Sequence, residues 1–164
     1  MYKDCQILSD LLDLPYSIYT DDCIKWLYDL YISQYKLCPM EYKGKRLIMR
    51  KEPLIANKDE SFMHLICGGN CKEIHEERAR RLLWAKDIIL NEPCTYNCDC
   101  EKILIWKQKS RIKMYLKKYN YLVIIEERKE YWIFVTGYYV SGSHNRKELT
   151  KEYHECKKRS TSNV

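Results

Sequence analysis

The sequence predicts a single α+β domain, in which N-terminal helices pack on a four-stranded antiparallel β-meander and a short C-terminal helix follows. Two segments in the first hundred residues carry apolar side chains at steps of three and four, the spacing of an amphipathic helix. Four later runs rich in Ile, Val, Tyr, Trp and Phe have short polar connections, which favours antiparallel neighbours. The 164 residues suit one domain, and two would be cramped. We divide the chain into a lead-in over 1–60, a core over 61–158 and a polar tail over 159–164.

The first helix is predicted over residues 21–37, where Leu27 and Leu30 lie on one face behind an acidic first turn. Pro39 then stops the helix, because the residue before a proline is driven out of helical conformation. Residues 45–50 are short and bounded by residues that break regular structure. We therefore predict a strand there.

A second short apolar run covers residues 61–67, and glycines end it. We predict a strand, with His64 close to its end. Helical spacing returns over residues 74–90, where acidic side chains occupy the N-terminal end that the helix dipole favours. Pro93 closes this second helix.

The four strands of the meander are predicted at residues 102–107, 111–117, 121–126 and 131–139. In the second strand, Ile112 and Met114 take one face, which we expect to be buried. Arg111 and Lys113 take the other face, which we expect to be wet, basic and in contact with nucleic acid. A terminal helix is predicted over residues 146–157.

Charge is unevenly distributed along the chain. Residues 102–164 hold 15 Lys and Arg against 6 Asp and Glu, whereas residues 1–101 hold 14 against 17. This asymmetry indicates a polyanionic partner, of which nucleic acid is the commonest, although a solvated lysine-rich surface explains it nearly as well. Nucleic acid is therefore one candidate partner.

Apolar runs long enough to span a membrane are absent from the sequence, and its N-terminus lacks the apolar core of a signal peptide. We therefore expect a cytoplasmic protein with no membrane partner. In that compartment the 9 Cys would be reduced thiols.

Several cysteines lie close together in sequence and have a histidine between them. The group is Cys67, Cys71, Cys94, Cys98 and Cys100, with His75. Their spacing lacks the paired Cys-x-x-Cys pattern that makes a structural zinc site a strong prediction. Zinc binding and simple burial as small apolar side chains both remain open.

The usual markers of nucleotide hydrolysis, dinucleotide redox chemistry, zincin proteolysis and α/β-hydrolase chemistry do not occur. We therefore expect no small-molecule cofactor. The strand region is also poor in Asp, which disfavours a two-metal nuclease.

Polar residues at the predicted strand ends suit RNA cleavage without a metal ion. They are His64, Arg128, Thr136, Tyr138, Tyr139, His144 and Arg146. In this reaction a base takes the proton of the 2′-hydroxyl, the oxygen attacks phosphorus, an acid protonates the leaving 5′-oxygen, and cations stabilise the transition state. Each residue taken singly also has an ordinary structural explanation in a sheet of this kind.

Five segments carry a family resemblance: residues 62–65, 77–84, 121–128, 131–140 and 146–153. They resemble phage- and mobile-element-associated proteins that are grouped with the barnase, EndoU, colicin and RelE-like nucleases. The resemblance implies helices on a four-stranded antiparallel meander, and metal-independent ribonuclease activity on the concave sheet face and flanking helix. The catalytic residues that it implies are His64, Arg128, Thr136, Tyr138 and Arg146. We add Arg111, Lys113, Tyr139 and His144 as RNA-binding residues.

Two alternatives to a ribonuclease remain open at this point. One is a non-catalytic phage protein that binds or inhibits a host partner, because such a fold can persist after its chemistry is lost. The other is a nucleic-acid-binding module that zinc stabilises.

Overall fold

The structure is a computed structural model that describes residues 5–68, 71, 73–98 and 101–162. Its helices are α1 (Asp21–Tyr31), α2 (Glu60–Ile66), α3 (Glu76–Ala79), α4 (Trp84–Leu90) and α5 (Ser143–Ser162), with a π-helical turn at Ile32–Lys36 and a 3-10 turn at Lys117–Tyr119. Its strands are β1 (Met40–Tyr42), β2 (Lys45–Ile48), β3 (Leu104–Gln108), β4 (Arg111–Leu116), β5 (Tyr121–Glu127) and β6 (Trp132–Tyr139). The α+β class is confirmed.

The strands form one six-stranded mixed sheet in the order β1-β2-β6-β5-β4-β3. The antiparallel meander from β3 to β6 is present, but the prediction that the sheet has four strands is wrong. β2 pairs in parallel with β6 at Leu47↔Trp132 and Ile48↔Ile133, and β1 pairs with β2. Strands of three and four residues carry too little alternation to indicate a partner in the sheet, which is why the sequence missed this extension.

The predicted strand over residues 61–67 is wrong, because this run is helix α2. Phe62, Leu65 and Ile66 are all buried, so this side of the helix faces the core, while Glu60 and His64 lie on the other side. An apolar run this short fits a buried strand and a buried helix equally well. Tyr31 of α1 packs against Phe62 with ring centroids 5.4 Å apart, which places α2 between α1 and the sheet.

The predicted helix over residues 74–90 is interrupted. α3 ends at Ala79 and α4 begins at Trp84, with Arg81 in the turn between them. Arg81 is buried, pairs with Glu77, and lies over the rings of Trp84 and Tyr139 at 5.0 and 4.6 Å. The turn therefore places a buried cation between two aromatic rings, which a continuous helical spacing did not indicate.

One face of the sheet carries the main core. Met114, Val123 and Phe134 are fully buried there beneath α1, α2 and α4. Trp84 of α4 meets Tyr121 of β5 edge to face at 5.5 Å. Burial of these large side chains supplies most of the hydrophobic stabilisation of the fold.

Helix α5 covers part of the opposite face. Beneath it lies a second cluster formed by Trp106, Tyr115, Leu122, Ile124 and Val140, against which Leu149, Tyr153 and Cys156 of α5 pack. The helix continues to Ser162, so part of the predicted polar tail is helical.

The predicted wet face of β4 is therefore wrong for most of its length. Tyr115 is buried, and the Nζ atom of Lys113 lies 2.6 Å from Oε1 of Glu152 on α5, with only 15% of its side chain exposed. Arg111 does remain exposed, although it pairs with Glu126. Alternation along a strand separates two faces but does not say whether a distant helix covers one of them.

Candidate functional site

A pocket of about 510 Å³ opens where α2 meets β6. We call it the His64 pocket. It is lined by Arg50, Glu60, His64, Cys67, Gly68, Arg78, Val135, Thr136 and Tyr138. β2 pairs only with the first two residues of β6, Trp132 and Ile133. The rest of β6 lies beside α2, and side chains from β6 and α2 reach the same space.

Gly137 sets how closely β6 approaches the helices. A Cβ atom at this position would lie 2.9 Å from Cβ of Ala85 and 3.2 Å from Oη of Tyr121. Only glycine allows this approach without displacing its neighbours. The flanking residues Thr136 and Tyr138 then point away from the main core, because successive side chains of a strand alternate between faces.

Glu60 and His64 lie one helical turn apart on α2, so their side chains share one face of the helix. Nε2 of His64 is 3.5 Å from Oε1 of Glu60, and Nε of Arg50 is 3.2 Å from Oε2 of the same carboxylate. The chain before α2 is fixed to its N-terminus, since Ser61 Oγ accepts a 2.7 Å hydrogen bond from the Arg50 backbone N–H. Together these contacts form a row of arginine, carboxylate and imidazole along one wall.

Arg78 enters the His64 pocket from α3. Its Nη1 donates a hydrogen bond of 3.3 Å to the His64 carbonyl, and its guanidinium lies 4.7 Å from the ring centroid of Tyr138. Burial lowers the pKa of Arg78, although an arginine remains charged in proteins. Burial also raises the pKa of Tyr138, against the opposing effect of Arg78, so this hydroxyl stays protonated and can donate a hydrogen bond.

The structure brings three of the five predicted catalytic residues together, because His64, Thr136 and Tyr138 all line the His64 pocket. It does not bring the other two to that pocket. Arg128 lies in the β5–β6 connection, half exposed and paired with Glu126 at 2.6 Å. Arg146 lines a separate cleft beside α5.

The predicted RNA-binding residues are scattered. Arg111 is exposed near the β3–β4 turn, and Lys113 is held beneath α5. Tyr139 lines two smaller pockets next to Arg78, and His144 is exposed in the first turn of α5. No contiguous surface containing all four emerges from the described part of the chain.

Sequence reasoning missed three charged residues of the His64 pocket, Arg50, Glu60 and Arg78. The spacing of Glu60 and His64 is a visible signal of a shared helical face, but only when the segment is recognised as a helix. Arg50 and Arg78 have no comparable signal, because their approach to the pocket depends on tertiary packing.

Cys67, one of the cysteines considered for zinc binding, lines the His64 pocket. Burial, and after it the neighbouring Cys71, raises the pKa of Cys67 to about 12, so this group is a neutral thiol at physiological pH. Within residues 5–68, 71, 73–98 and 101–162, no three His, Cys, Asp or Glu side chains are placed to hold a metal ion. Cys100, another of the cysteines considered for zinc binding, lies outside those residues.

Comparison with known proteins gives no relative from which a function can be transferred. No protein-family model, no curated protein and no solved structure matches the chain. Among the helices that the structure describes, none has the length and apolar character that crossing a bilayer requires. The site must therefore be interpreted from its own geometry.

Proposed function

We propose that this protein is a metal-independent endoribonuclease that cleaves RNA in the His64 pocket by attack of the 2′-hydroxyl. One observation carries the proposal: an imidazole, two guanidinium groups and two hydroxyls line one pocket. These are the groups that the reaction needs as proton acceptor, as phosphate ligands and as hydrogen-bond donors.

His64 is the candidate general base. A neutral imidazole can take the 2′-hydroxyl proton near neutral pH. The carboxylate of Glu60, 3.5 Å from Nε2, would stabilise the imidazolium that results. Glu60 thus acts as a positioning residue, and Nε of Arg50 lies 3.2 Å from the other oxygen of its carboxylate.

Arg50 and Arg78 are the candidate phosphate ligands. A guanidinium can donate two parallel hydrogen bonds to a phosphate, and it stabilises the additional negative charge of the transition state. Arg78 is held in place by the Tyr138 ring and the His64 carbonyl, so little side-chain freedom remains to be lost when it binds. The Tyr138 hydroxyl is the candidate proton donor to the leaving 5′-oxygen.

The direct test is incubation of the purified chain with varied RNAs in the presence of EDTA. The proposal predicts fragments that end in 2′,3′-cyclic phosphate and 5′-hydroxyl groups, because the attacking oxygen belongs to the RNA itself. The same sequences as DNA should stay intact, since they lack the 2′-hydroxyl. Absence of cleavage across all RNAs would contradict the proposal.

A second candidate is a binding protein without nuclease activity, and one observation favours it. Helix α5 covers Trp106, Tyr115 and Leu122 on the sheet face opposite the main core, so that these strand residues are not accessible to a substrate. If the chain retains RNA without cleaving it, or binds a protein of a host complex instead, this second function is the better account.

A further inference from the structure

A second concave surface lies on the far flank of α5, away from the His64 pocket. It has a volume of about 610 Å³ and lies between the N-terminal half of α5 and the β4–β5 connection. We call it the basic cleft, and its residues used below are Tyr115, Lys117, Arg146, Lys147, Lys151 and His154. Four of these six carry a positive charge, and none carries a negative one.

Most of these cations lack an acidic partner. Lys117 lies 3.4 Å from Glu101, but both side chains are largely exposed. For Arg146, Lys147 and Lys151, no carboxylate of the described residues lies within 4.0 Å. Lys147 and Lys151 are one turn apart, so their like charges repel each other along one face of the helix.

The position of the charges within α5 also opposes helix stability. The first turn of α5 contains no acidic residue, and Arg146 lies in that turn with Lys147 directly after it. Cations near the N-terminus of a helix interact unfavourably with its dipole, whereas those near the C-terminus, such as Arg159, interact favourably. The helix dipole therefore favours the basic residue Arg159 at the C-terminus of α5 but disfavours Arg146 at its N-terminus. A bound anion would relieve both the mutual repulsion and the dipole interaction.

We infer that the basic cleft binds the phosphate backbone of single-stranded RNA outside the site of cleavage. The choice of RNA rests on the proposed function and on continuity between the two surfaces. A pocket of about 360 Å³ shares Arg78 and Tyr138 with the His64 pocket, and its lining continues to Ser141 and Asn145. Asn145 is the immediate neighbour of Arg146, so the intermediate pocket leads from one surface to the other around the beginning of α5.

The lining of the basic cleft fits a nucleic acid better than a membrane. Of the large apolar side chains exposed in the described chain, none lies on α5 or lines this cleft, so nothing there would insert into lipid. The exposed imidazole of His154 offers a ring on which a base can stack beside the charged wall. Tyr115 forms part of the wall and is fixed by the hydrogen bond from its hydroxyl to Asn120.

The test measures RNA affinity separately from cleavage. In a His64→Ala background, a fluorescent single-stranded RNA of about 12 nucleotides is titrated at salt concentrations from about 50 to 200 mM. The variant Lys147→Gln with Lys151→Gln removes two cations of the cleft. Lys109→Gln with Lys129→Gln removes two exposed cations at the opposite end of the sheet and is the matched control. Glutamine keeps helix propensity close to that of lysine.

We expect the cleft variant to bind RNA about tenfold more weakly at low salt. The slope of log affinity against log salt should become less negative by roughly 1.4, because two single-strand phosphate contacts are lost. The control should retain both the affinity and the slope of the parent, and thermal melts should agree among the three proteins. Equal behaviour of the two double variants would overturn the inference. Binding to phosphatidylserine vesicles is measured for the same proteins. If the cleft variant loses vesicle binding while its RNA affinity is unchanged, the inference is also overturned.

Failure of this inference can be told apart from failure of the proposed function. If the chain that retains His64 cleaves RNA while both double variants bind alike, only the basic cleft is refuted. If that chain does not cleave RNA but binding depends on Lys147 and Lys151, the ribonuclease proposal is refuted and the basic cleft stands as an RNA-binding site.

Discussion

The two faces of the sheet differ in how completely they bury side chains. On the face toward α1, α2 and α4, large side chains such as Phe134 of β6 and Trp84 of α4 are fully buried. On the other face, α5 has no buried residue of its own. The first face is a continuous apolar layer. The second is a cluster of five buried residues beneath a polar helix, and clefts lined by charged and aromatic groups flank that helix. The comparison indicates that folding stability depends mainly on the first face. The second face leaves room for a ligand along the sides of α5.

One carboxylate on each side of the sheet, Asp87 and Glu152, has different hydrogen-bond partners. Asp87 of α4 is half-buried and accepts a hydrogen bond of 2.8 Å from the Ser9 backbone N–H. Glu152 of α5 is partly exposed and accepts from both Trp106 Nε1 and Lys113 Nζ, at 2.8 and 2.6 Å. Asp87 therefore joins α4 to the N-terminal segment, whereas Glu152 holds α5 on the sheet.

The largest expected effect compares one apolar truncation on each face. Phe134→Ala removes a fully buried ring and should reduce the free energy of unfolding by about 3–5 kcal/mol. Leu149→Ala removes a half-buried side chain from α5 and should cost about 1 kcal/mol, in proportion to the smaller apolar area. Urea denaturation measures both. Equal losses would mean that the second cluster contributes as much to stability as the main core.

An intermediate effect is expected from the anchor of α5. Glu152→Gln removes the charge that Lys113 and Trp106 share, and Lys113 then stays beneath the helix without an ion-pair partner. We expect a loss of about 1 kcal/mol after allowing for the partial exposure of Glu152. Glu148→Gln on the same helix is the matched control, because no ion pair of Glu148 occurs among the described residues. The midpoint of its urea denaturation should equal that of the parent. A shift of the same size in both variants would refute the anchoring role.

The smallest expected effect is a change in the pH dependence of stability. Burial raises the pKa of Asp87 above its ordinary value of 3.8, although the Ser9 hydrogen bond opposes this. The folded chain therefore holds this proton more tightly than the unfolded chain, and stability falls as pH rises from about 3.8 through the raised pKa. Asp87→Asn removes that fall while keeping an oxygen to accept from Ser9.

Thermal melts of the parent and of Asp87→Asn from acid to neutral pH measure the difference. The variant should gain stability relative to the parent as pH rises across this window. A gain toward acid pH instead would show that the hydrogen bond outweighs burial and that the pKa of Asp87 is lowered.

The sequence predicted the elements whose periodicity is long enough to read. Runs rich in Ile, Val, Tyr, Trp and Phe with short polar connections identified the meander, in which β4, β5 and β6 each have at least six residues. α2 was mistaken for a strand because the apolar residues of this short run, Phe62, Met63, Leu65 and Ile66, fit a buried strand as well as a buried helix. One sequence signal indicates that α5 packs on the sheet: Leu149, Tyr153 and Cys156 form an apolar stripe at helical spacing. Which face of the sheet this stripe contacts depends on the tertiary fold and could not be predicted.

Prediction of the site had a similar limit. His64, Thr136 and Tyr138 are chemically conspicuous residues near element ends, and they do share one pocket. Arg128 has the same chemical character but lies at the turn beyond the other end of β6. Residue type suggested the chemistry, whereas the position along β6 decided which side chains meet, and position requires the strand register.

The central claim is that RNA cleavage takes place in the His64 pocket, and paired variants test it most directly. The rate of appearance of 2′,3′-cyclic phosphate ends, with EDTA present, is compared for the parent, His64→Ala and Arg128→Ala, with thermal melts to confirm folding. The account predicts that His64→Ala loses about 10²–10⁴-fold in rate, as expected for a lost general base, and that Arg128→Ala retains nearly the parent rate. A folded His64→Ala protein that cleaves at the parent rate would contradict it.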